Sequence, residues 1–239
     1  EDYGGQGFGF VELSIAVEEM GRALLCAPFF SSIVLAATAI LNCASEEQKR
    51  ALLPPIATGD VRATLAFTEE NGRWDNSGVA VEATKTEGGY QLNGVKSFVL
   101  DGCTAEQIVV LARSPGSSGD DGLSLFVVAG DAAGLTKRPL KSMDETRKLA
   151  RLECQNVHAE LLGSEGGAAA PMATTLDQAV TCLANEMVGG AEALREQALD
   201  YAQMRMQFGR TIASFQTMKH KAADMLIDVE LAKSAAYYA

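Results

Sequence analysis

Tyr201-Ala-Gln-Met-Arg-Met-Gln-Phe-Gly-Arg210, followed closely by Ser214-Phe215-Gln216, lies at the junction of two long segments patterned as helices. Before it, Leu176, Val180, Leu183, Met187, Leu194, Ala198 and Tyr201 recur mostly at steps that line one face of a helix. After it, Phe215, Met218, Ala222, Met225, Val229, Ala232 and Ala236 do the same. A tight turn at Phe208-Gly209-Arg210 would fold the two into an antiparallel hairpin. Each stripe still needs further helices to cover it, and the cover is expected from sequence beyond Ala239, from other subunits, or from both.

Working back from this hairpin, Gly163-Ser-Glu-Gly-Gly167 is a linker, and short Val-, Leu-, Phe- and Thr-rich runs precede it at 62–68, 79–86, 90–99, 107–113, 123–129, 135–140 and 148–155. Gly, Asn, Asp and Ser clusters separate the runs, so they read as antiparallel strands of a small barrel or sandwich. Ser114-Pro-Gly-Ser-Ser-Gly-Asp-Asp-Gly122 reads as a polar hairpin tip. Residues 11–59 are helical in character. Leu13, Val17, Met20 and Leu24 line one face over Val11 to Ala27, and Ala27 to Ala44 reads as a buried helix. Ser45-Glu-Glu-Gln48 is a capping box, and the helix it starts is expected to end before Pro54-Pro55.

Composition narrows the function. The chain has 239 residues, of which 47% are hydrophobic, enough for one large domain or two smaller ones. A net charge of −11 argues against a nucleic-acid backbone as partner. No apolar run reaches the roughly 18 residues of a membrane span. The five cysteines are scattered without a CxxC pair, which fits a reducing cytoplasm, and no metal site is expected. With only His158 and His220 present, hydrolytic triads have little support. Gly4-Gly-Gln-Gly-Phe-Gly9 has no preceding strand and fails the context of a dinucleotide-binding loop. The absence of an initiator Met, and an end at Tyr237-Tyr238-Ala239 inside a helical pattern, suggest a fragment.

The quoted junction resembles the Y-A-x-x-R-x-Q-F-G-x-x-I-x-x-x-Q signature of acyl-CoA dehydrogenases. Further landmarks occur in that family's order: Glu1-Asp-Tyr-Gly-Gly5, Ser45-Glu-Glu-Gln-Lys-Arg50, Phe67-Thr-Glu69 and Asn93-Gly-Val-Lys96. The resemblance covers nearly the whole chain. It implies a helical N-terminal domain (1–60), a central antiparallel β-barrel domain (61–163) and the start of a C-terminal helical bundle (164–239). About the first two helices and the last few would be absent.

It also implies FAD as cofactor, an acyl-CoA substrate, an electron-transfer acceptor and a homo- or hetero-oligomer, because in the family the junction binds FAD held mainly by the neighbouring subunit. On that basis Arg205 would bond the FAD pyrophosphate and Gln207 and Gln216 the adenosine portion, with Phe208 and Phe215 packed around it. Leu65, Phe67, Thr68, Phe98, Val99 and Leu100 would lie along the flavin ring, the Thr68 hydroxyl and backbone groups bonding its pyrimidine edge. Trp74 and Asp177 would fall on the substrate side.

The departures from the family pattern are specific. Arg73-Trp74 stands where the family has a small Gly-Ser pair, so Trp74 should narrow or redirect the thioester channel or offer a new stacking surface. Leu100 replaces a Thr hydroxyl that would partner flavin N5, which should affect flavin reduction more than binding. Leu176-Asp177-Gln178-Ala179-Val180 carries neither the Arg nor the catalytic Glu found there in some members, so no residue is assigned as catalytic and the base is expected beyond Ala239. Three functions fit: α,β-dehydrogenation of an acyl-CoA in fatty acid or sterol side-chain breakdown, a non-catalytic partner subunit donating a trans FAD half-site, or a related flavin oxidase or monooxygenase.

Overall fold

The structure is a computed structural model that describes residues 2–239; Glu1, the first residue of one quoted landmark, lies outside the described residues. In chain order the elements are helix α1 (Phe10–Arg22), a π-helical stretch (Phe30–Ala37) running into α2 (Thr38–Cys43), and α3 (Glu46–Ala57). Seven strands follow: β1 (Ala63–Ala66), β2 (Glu82–Thr86), β3 (Gly89–Leu100), β4 (Gln107–Arg113), β5 (Leu123–Ala129), β6 (Leu135–Pro139) and β7 (Leu149–Leu162). The chain closes with α4 (Ala169–Met204), the short ribbon β8 (Met206–Gln207) and β9 (Arg210–Thr211), and α5 (Gln216–Tyr238). It divides into two compact units: one takes the first residues up to Gly7 with Cys26–Ala179, the other Phe8–Leu25 with Val180–Ala239.

In the first unit β4 runs antiparallel to β5, β5 to β7, β7 to β3 and β6, and β3 to β2. The circuit back from β2 to β4 rests on one parallel register pair, Glu82 opposite Arg113, so no continuous ladder closes the barrel. The expectation of a purely antiparallel sheet fails at a second place, since β1 pairs with β4 in parallel, Ala63 opposite Gln107 through Ala66 opposite Val110. The long connection between β1 and β4 lets β1 return in the same direction, where a hairpin would have forced reversal. Leu92, Ile108, Phe126, Leu152 and Val157 fill the interior, and Tyr90 packs against Phe126 at a tilt, 4.9 Å between centroids.

β1 is buried along its length although it lies at the end of the sheet. The π-helical stretch supplies the missing strand partner: Ser32 Oγ donates to the Ala63 carbonyl (3.0 Å) and accepts from the Ala63 amide (3.1 Å). One hydroxyl thus satisfies both backbone groups of a residue that would otherwise be an open edge.

Two helix ends differ from the sequence expectation. α1 stops at Arg22, not Ala27, because Leu24 takes a left-handed backbone (φ 49°). The Leu25 amide bonds the Met20 carbonyl (2.9 Å) and the Leu24 amide the Gly21 carbonyl (3.1 Å), a Schellman ending built without its usual glycine. α3 continues through Pro54 and Pro55 to Ala57. The carbonyls that the two prolines cannot serve belong to Arg50 and Ala51, both exposed and open to water, so the last turn survives. The Ser45 capping box is present, and Gln48 also donates to the Leu161 carbonyl (2.7 Å), tying the helix start to β7.

In the second unit α1 and α4 approach at backbone contact. A Cβ on Gly21 would fall 2.0 Å from the Glu186 carbonyl oxygen, and one on Gly189 would fall 1.9 Å from that of Glu18. α5 returns antiparallel to α4, with the Lys233 ammonium near the Glu192 carboxylate (3.6 Å) and bonded to Glu18 of α1 (2.6 Å). Tyr237 donates its hydroxyl proton to the same Glu18 (2.5 Å). Met187 and Leu194 of the expected α4 stripe remain exposed, whereas on α5 the stripe residues Val229 and Ala236 are buried and the exposed Leu226, Ile227 and Leu231 lie off that stripe.

Candidate functional site

Two groups of sequence-selected residues form, one in each unit. In the first, the chain leaving β1 meets a distortion in β3. The pairing of β3 with β7 slips between Lys96 and Val99, and within that slip Phe98 takes a left-handed conformation (φ 59°). A bulge of this kind re-aims a side chain, and the Phe98 ring is 47% exposed although its neighbours Ser97 and Val99 are buried. The bulge is stitched to the end of β1 by the Ser97 amide donating to the Thr68 carbonyl (3.0 Å) and the Thr68 hydroxyl donating to the Ser97 carbonyl (2.6 Å). Thr64 adds a third stitch, from its hydroxyl to the Leu100 carbonyl (2.6 Å).

This geometry redistributes the roles of the selected residues. Leu65, Thr68 and Val99 are at most 5% exposed as whole residues, so side chain and backbone alike belong to the core. The Thr68 hydroxyl already donates its proton internally and is left only as an acceptor. Phe67 is half-buried, Phe98 exposed and Leu100 half-buried, so each keeps part of an apolar side chain accessible.

Trp74 packs on Phe67: the two rings are perpendicular at 5.4 Å between centroids, and Trp74 is 55% exposed. The loop carrying it is held by its own polar groups. Asn71 donates to the Gly78 carbonyl (2.7 Å) and accepts from the Arg73 amide (2.9 Å), while Asp75 pairs with Arg73 (2.9 Å). A hydrogen bond from the Ser77 hydroxyl, followed by one from the Arg73 guanidinium, pushes the Asp75 carboxyl down to about 2. Asp177 sits apart from this group in sequence, on an exposed position of α4.

The second group is the β8–β9 ribbon. Phe208 (φ 53°) and Gly209 (φ 76°) are both left-handed, the backbone of a two-residue type I′ turn. The turn lifts Phe208 to 90% exposure, and its ring meets Phe215 edge-on at 6.1 Å. Arg210 lies over the Phe215 ring at 4.0 Å, a stacking contact that motif reading did not assign. Arg205 and Gln207 are exposed, and the side-chain amide of Gln216 lies 3.0 Å from His220 Nε2. Among the described residues the Arg205 guanidinium makes no ion pair.

The largest omission from the sequence reading is the pair Lys96 and Glu69, quoted there only as landmarks. Lys96 is fully buried and its Nζ donates to Glu69 Oε1 (2.7 Å) and to the Phe67 carbonyl (3.3 Å). Glu69 Oε1 also accepts from the amides of Ala80 (2.9 Å) and Val81 (3.0 Å). The signal was available: a Lys at an inward position of an alternating strand needs a buried anion.

Among the described residues no His, Cys, Asp and Glu cluster could hold a metal, and no helix is long and apolar enough to cross a membrane.

Sequence models of three domains match the chain in order: the acyl-CoA dehydrogenase N-terminal domain over residues 1–60, the middle domain over 64–157 and the C-terminal domain over 165–239. An acyl-CoA dehydrogenase of Bacillus subtilis (strain 168) is 32% identical over 246 residues, covering 100% of this chain and 65% of that protein. The structure of butyryl-CoA dehydrogenase from Megasphaera elsdenii superposes with a TM-score of 0.92 at 30% identity, over 98% of this chain and 63% of that one. A structure of PigA with FAD and proline gives 0.90 at 25% identity, over 99% and 64%. The chain therefore spans about two thirds of the length of these proteins.

Proposed function

Since the chain belongs to the acyl-CoA dehydrogenase family, we propose that it is the greater part of an FAD-dependent enzyme that desaturates an acyl-CoA thioester between Cα and Cβ and passes the electrons to an external acceptor. The observation that carries the reading is the left-handed Phe98 at the β3 bulge, stitched to Thr68, which leaves an aromatic surface with core-anchored backbone beside it. A flavin ring fits such a surface because it needs flat apolar contact. The FAD structure of PigA, with the same fold, supports the choice of cofactor.

When bound, the flavin supplies the acceptor for the β-hydrogen. Phe67 and Phe98 would pack against its ring, and the buried Leu65, Thr68 and Val99 would support that surface from the core side. Leu100 places an alkyl group where a hydroxyl donor would otherwise stand, so this chain offers no side-chain proton there. Trp74 would limit the space left for the thioester. Glu69 cannot act as base, because its carboxylate is buried and committed to Lys96 and two amides. The base that takes the α-proton is proposed to lie outside this sequence.

The Arg205–Phe208 ribbon would serve the FAD of a second chain, its unpaired guanidinium toward the pyrophosphate and Phe208 toward the adenosine portion, which makes the enzyme at least a dimer. The test is the flavin content and visible spectrum of the purified protein, followed by anaerobic addition of acyl-CoA thioesters. About one flavin per chain, bleached by an acyl-CoA, supports the reading. A yellow protein reduced by no acyl-CoA contradicts it, and flavin retained only with an unlike second chain, at about half occupancy, assigns this chain as the partner that donates the trans half-site.

A further inference from the structure

We propose that Lys96 is a positioning residue: one buried ammonium, bonded to the Phe67 carbonyl and the Glu69 carboxylate, holds the end of β1 against the β3 bulge and so sets the surface made by Phe67 and Phe98. The inference rests on the flavin reading for what that surface binds, but the clamp itself is a property of the fold.

Three chain segments meet at this ion pair. Lys96 is the last β3 residue in register with β7 before the slip, so its backbone is fixed by the Leu152 pair while the next two residues bulge. Its side chain reaches the end of β1 at Phe67 and Glu69. Glu69 in turn gathers the Ala80 and Val81 amides, which lead into β2. The adjoining bonds between Thr68 and Ser97 close a ring: Lys96 to Glu69, back to Thr68, across to Ser97 and on to Phe98.

A merely structural charge pair would be replaceable by apolar packing with little local consequence. This one differs, because its ammonium joins the two ligand-facing segments at their buried side, alongside the Thr68–Ser97 bonds. Removing the ammonium leaves the Phe67 carbonyl without this donor and frees Glu69 to move, and the movement is passed to Phe67 and, through it, to the Trp74 ring packed against it.

The chain contains a single Trp, so its fluorescence reports the Phe67 contact with no flavin present. The experiment compares wild type with Lys96→Met, which keeps length and removes the charge, and Glu69→Gln, which keeps an acceptor for the two amides. In Lys96→Met the Trp74 emission should shift and its acrylamide quenching rise. The Ser97 amide should exchange at least about tenfold faster while amides of β4 and β5 keep their protection. With FAD added, the dissociation constant should rise by about tenfold or more and the flavin midpoint potential should move. Glu69→Gln should show the same pattern more weakly, and it carries the test if Lys96→Met does not fold.

Unchanged Trp74 emission and Ser97 exchange in both variants overturn the clamp. So does a uniform acceleration of exchange across the sheet, which marks loss of stability alone. Intact fluorescence and exchange effects in a protein that takes up no FAD uphold the clamp and overturn the flavin reading.

Discussion

Lys96 and Glu69 form an ion pair almost wholly removed from water, 2.7 Å from Nζ to Oε1 with side chains 0% and 8% exposed. Burial pushes the Lys96 ammonium down to about 8, with the Glu69 charge opposing the fall, whereas an unperturbed lysine titrates at 10.5. Between those values the unfolded chain binds more protons than the folded one, so raising the pH favours folding as far as this group is concerned. Below about pH 8 its contribution is flat. Urea midpoints of wild type and Lys96→Met, measured across this range, should therefore diverge in favour of wild type from pH 8 to 10.5; a constant gap contradicts the assignment.

Removing one member of the pair strands the other. Glu69→Leu leaves a buried ammonium without its anion and should destabilise by about 3–5 kcal/mol near pH 7. The double variant Lys96→Met with Glu69→Leu should recover part of this, because no uncompensated charge remains. Equilibrium unfolding of the two singles and the double gives the coupling directly, and strictly additive losses would refute it.

At the crossing of α1 and α4, Gly→Ala should act against its usual sign. In an open helix the exchange gains up to about 1 kcal/mol. At Gly21 or Gly189 the new methyl meets a carbonyl oxygen at 2.0 or 1.9 Å, so the helices must part, at a cost of about 1–3 kcal/mol. Gly190 is the control: its Cβ would lie 3.6 Å from the Gly21 oxygen, an ordinary contact, and Gly190→Ala should be neutral or stabilising. Thermal unfolding of the three variants separates the cases.

Phe208 occupies a left-handed turn position that suits Asn far better than an aromatic residue. Phe208→Asn should raise stability by about 0.5–1 kcal/mol and lower flavin retention. A variant that gains stability and keeps its flavin would remove Phe208 from the proposed half-site.

Trp74→Ser should leave stability nearly unchanged, since the ring is more than half exposed. It should instead alter selectivity, raising kcat/KM for bulkier thioesters by about tenfold relative to small ones. An unaltered ranking across a series of acyl-CoAs would show that the ring does not border the substrate.

Most strands were legible because they alternate or run apolar between turn residues; β4 and β5 match the expected ranges residue for residue, whereas β2 starts three residues late and β7 runs seven residues past its expected end, to Leu162. What alternation cannot express is partnership. The parallel alignment of β1 with β4 depends on a long connection, and the single pair joining β2 to β4 depends on sheet curvature. Local rules also failed where tertiary context overrode them, at Leu24 serving as a helix end and at Pro54-Pro55 inside a last turn. In the candidate site, the aromatic and Arg positions proposed for the flavin were selected by motif spacing. Their orientation was not, because the φ of Phe98 is set by a bulge that only pairing with β7 defines.

β7 bonds to β3, β5 and β6, and no other strand has so many antiparallel neighbours. Its consequence lies in biogenesis. Until Leu162 has left the ribosome, β3, β5 and β6 each present an edge waiting for the same late strand, so the sheet is completed only after most of it has been synthesised. That interval, more than the finished fold, is when this chain would need a chaperone.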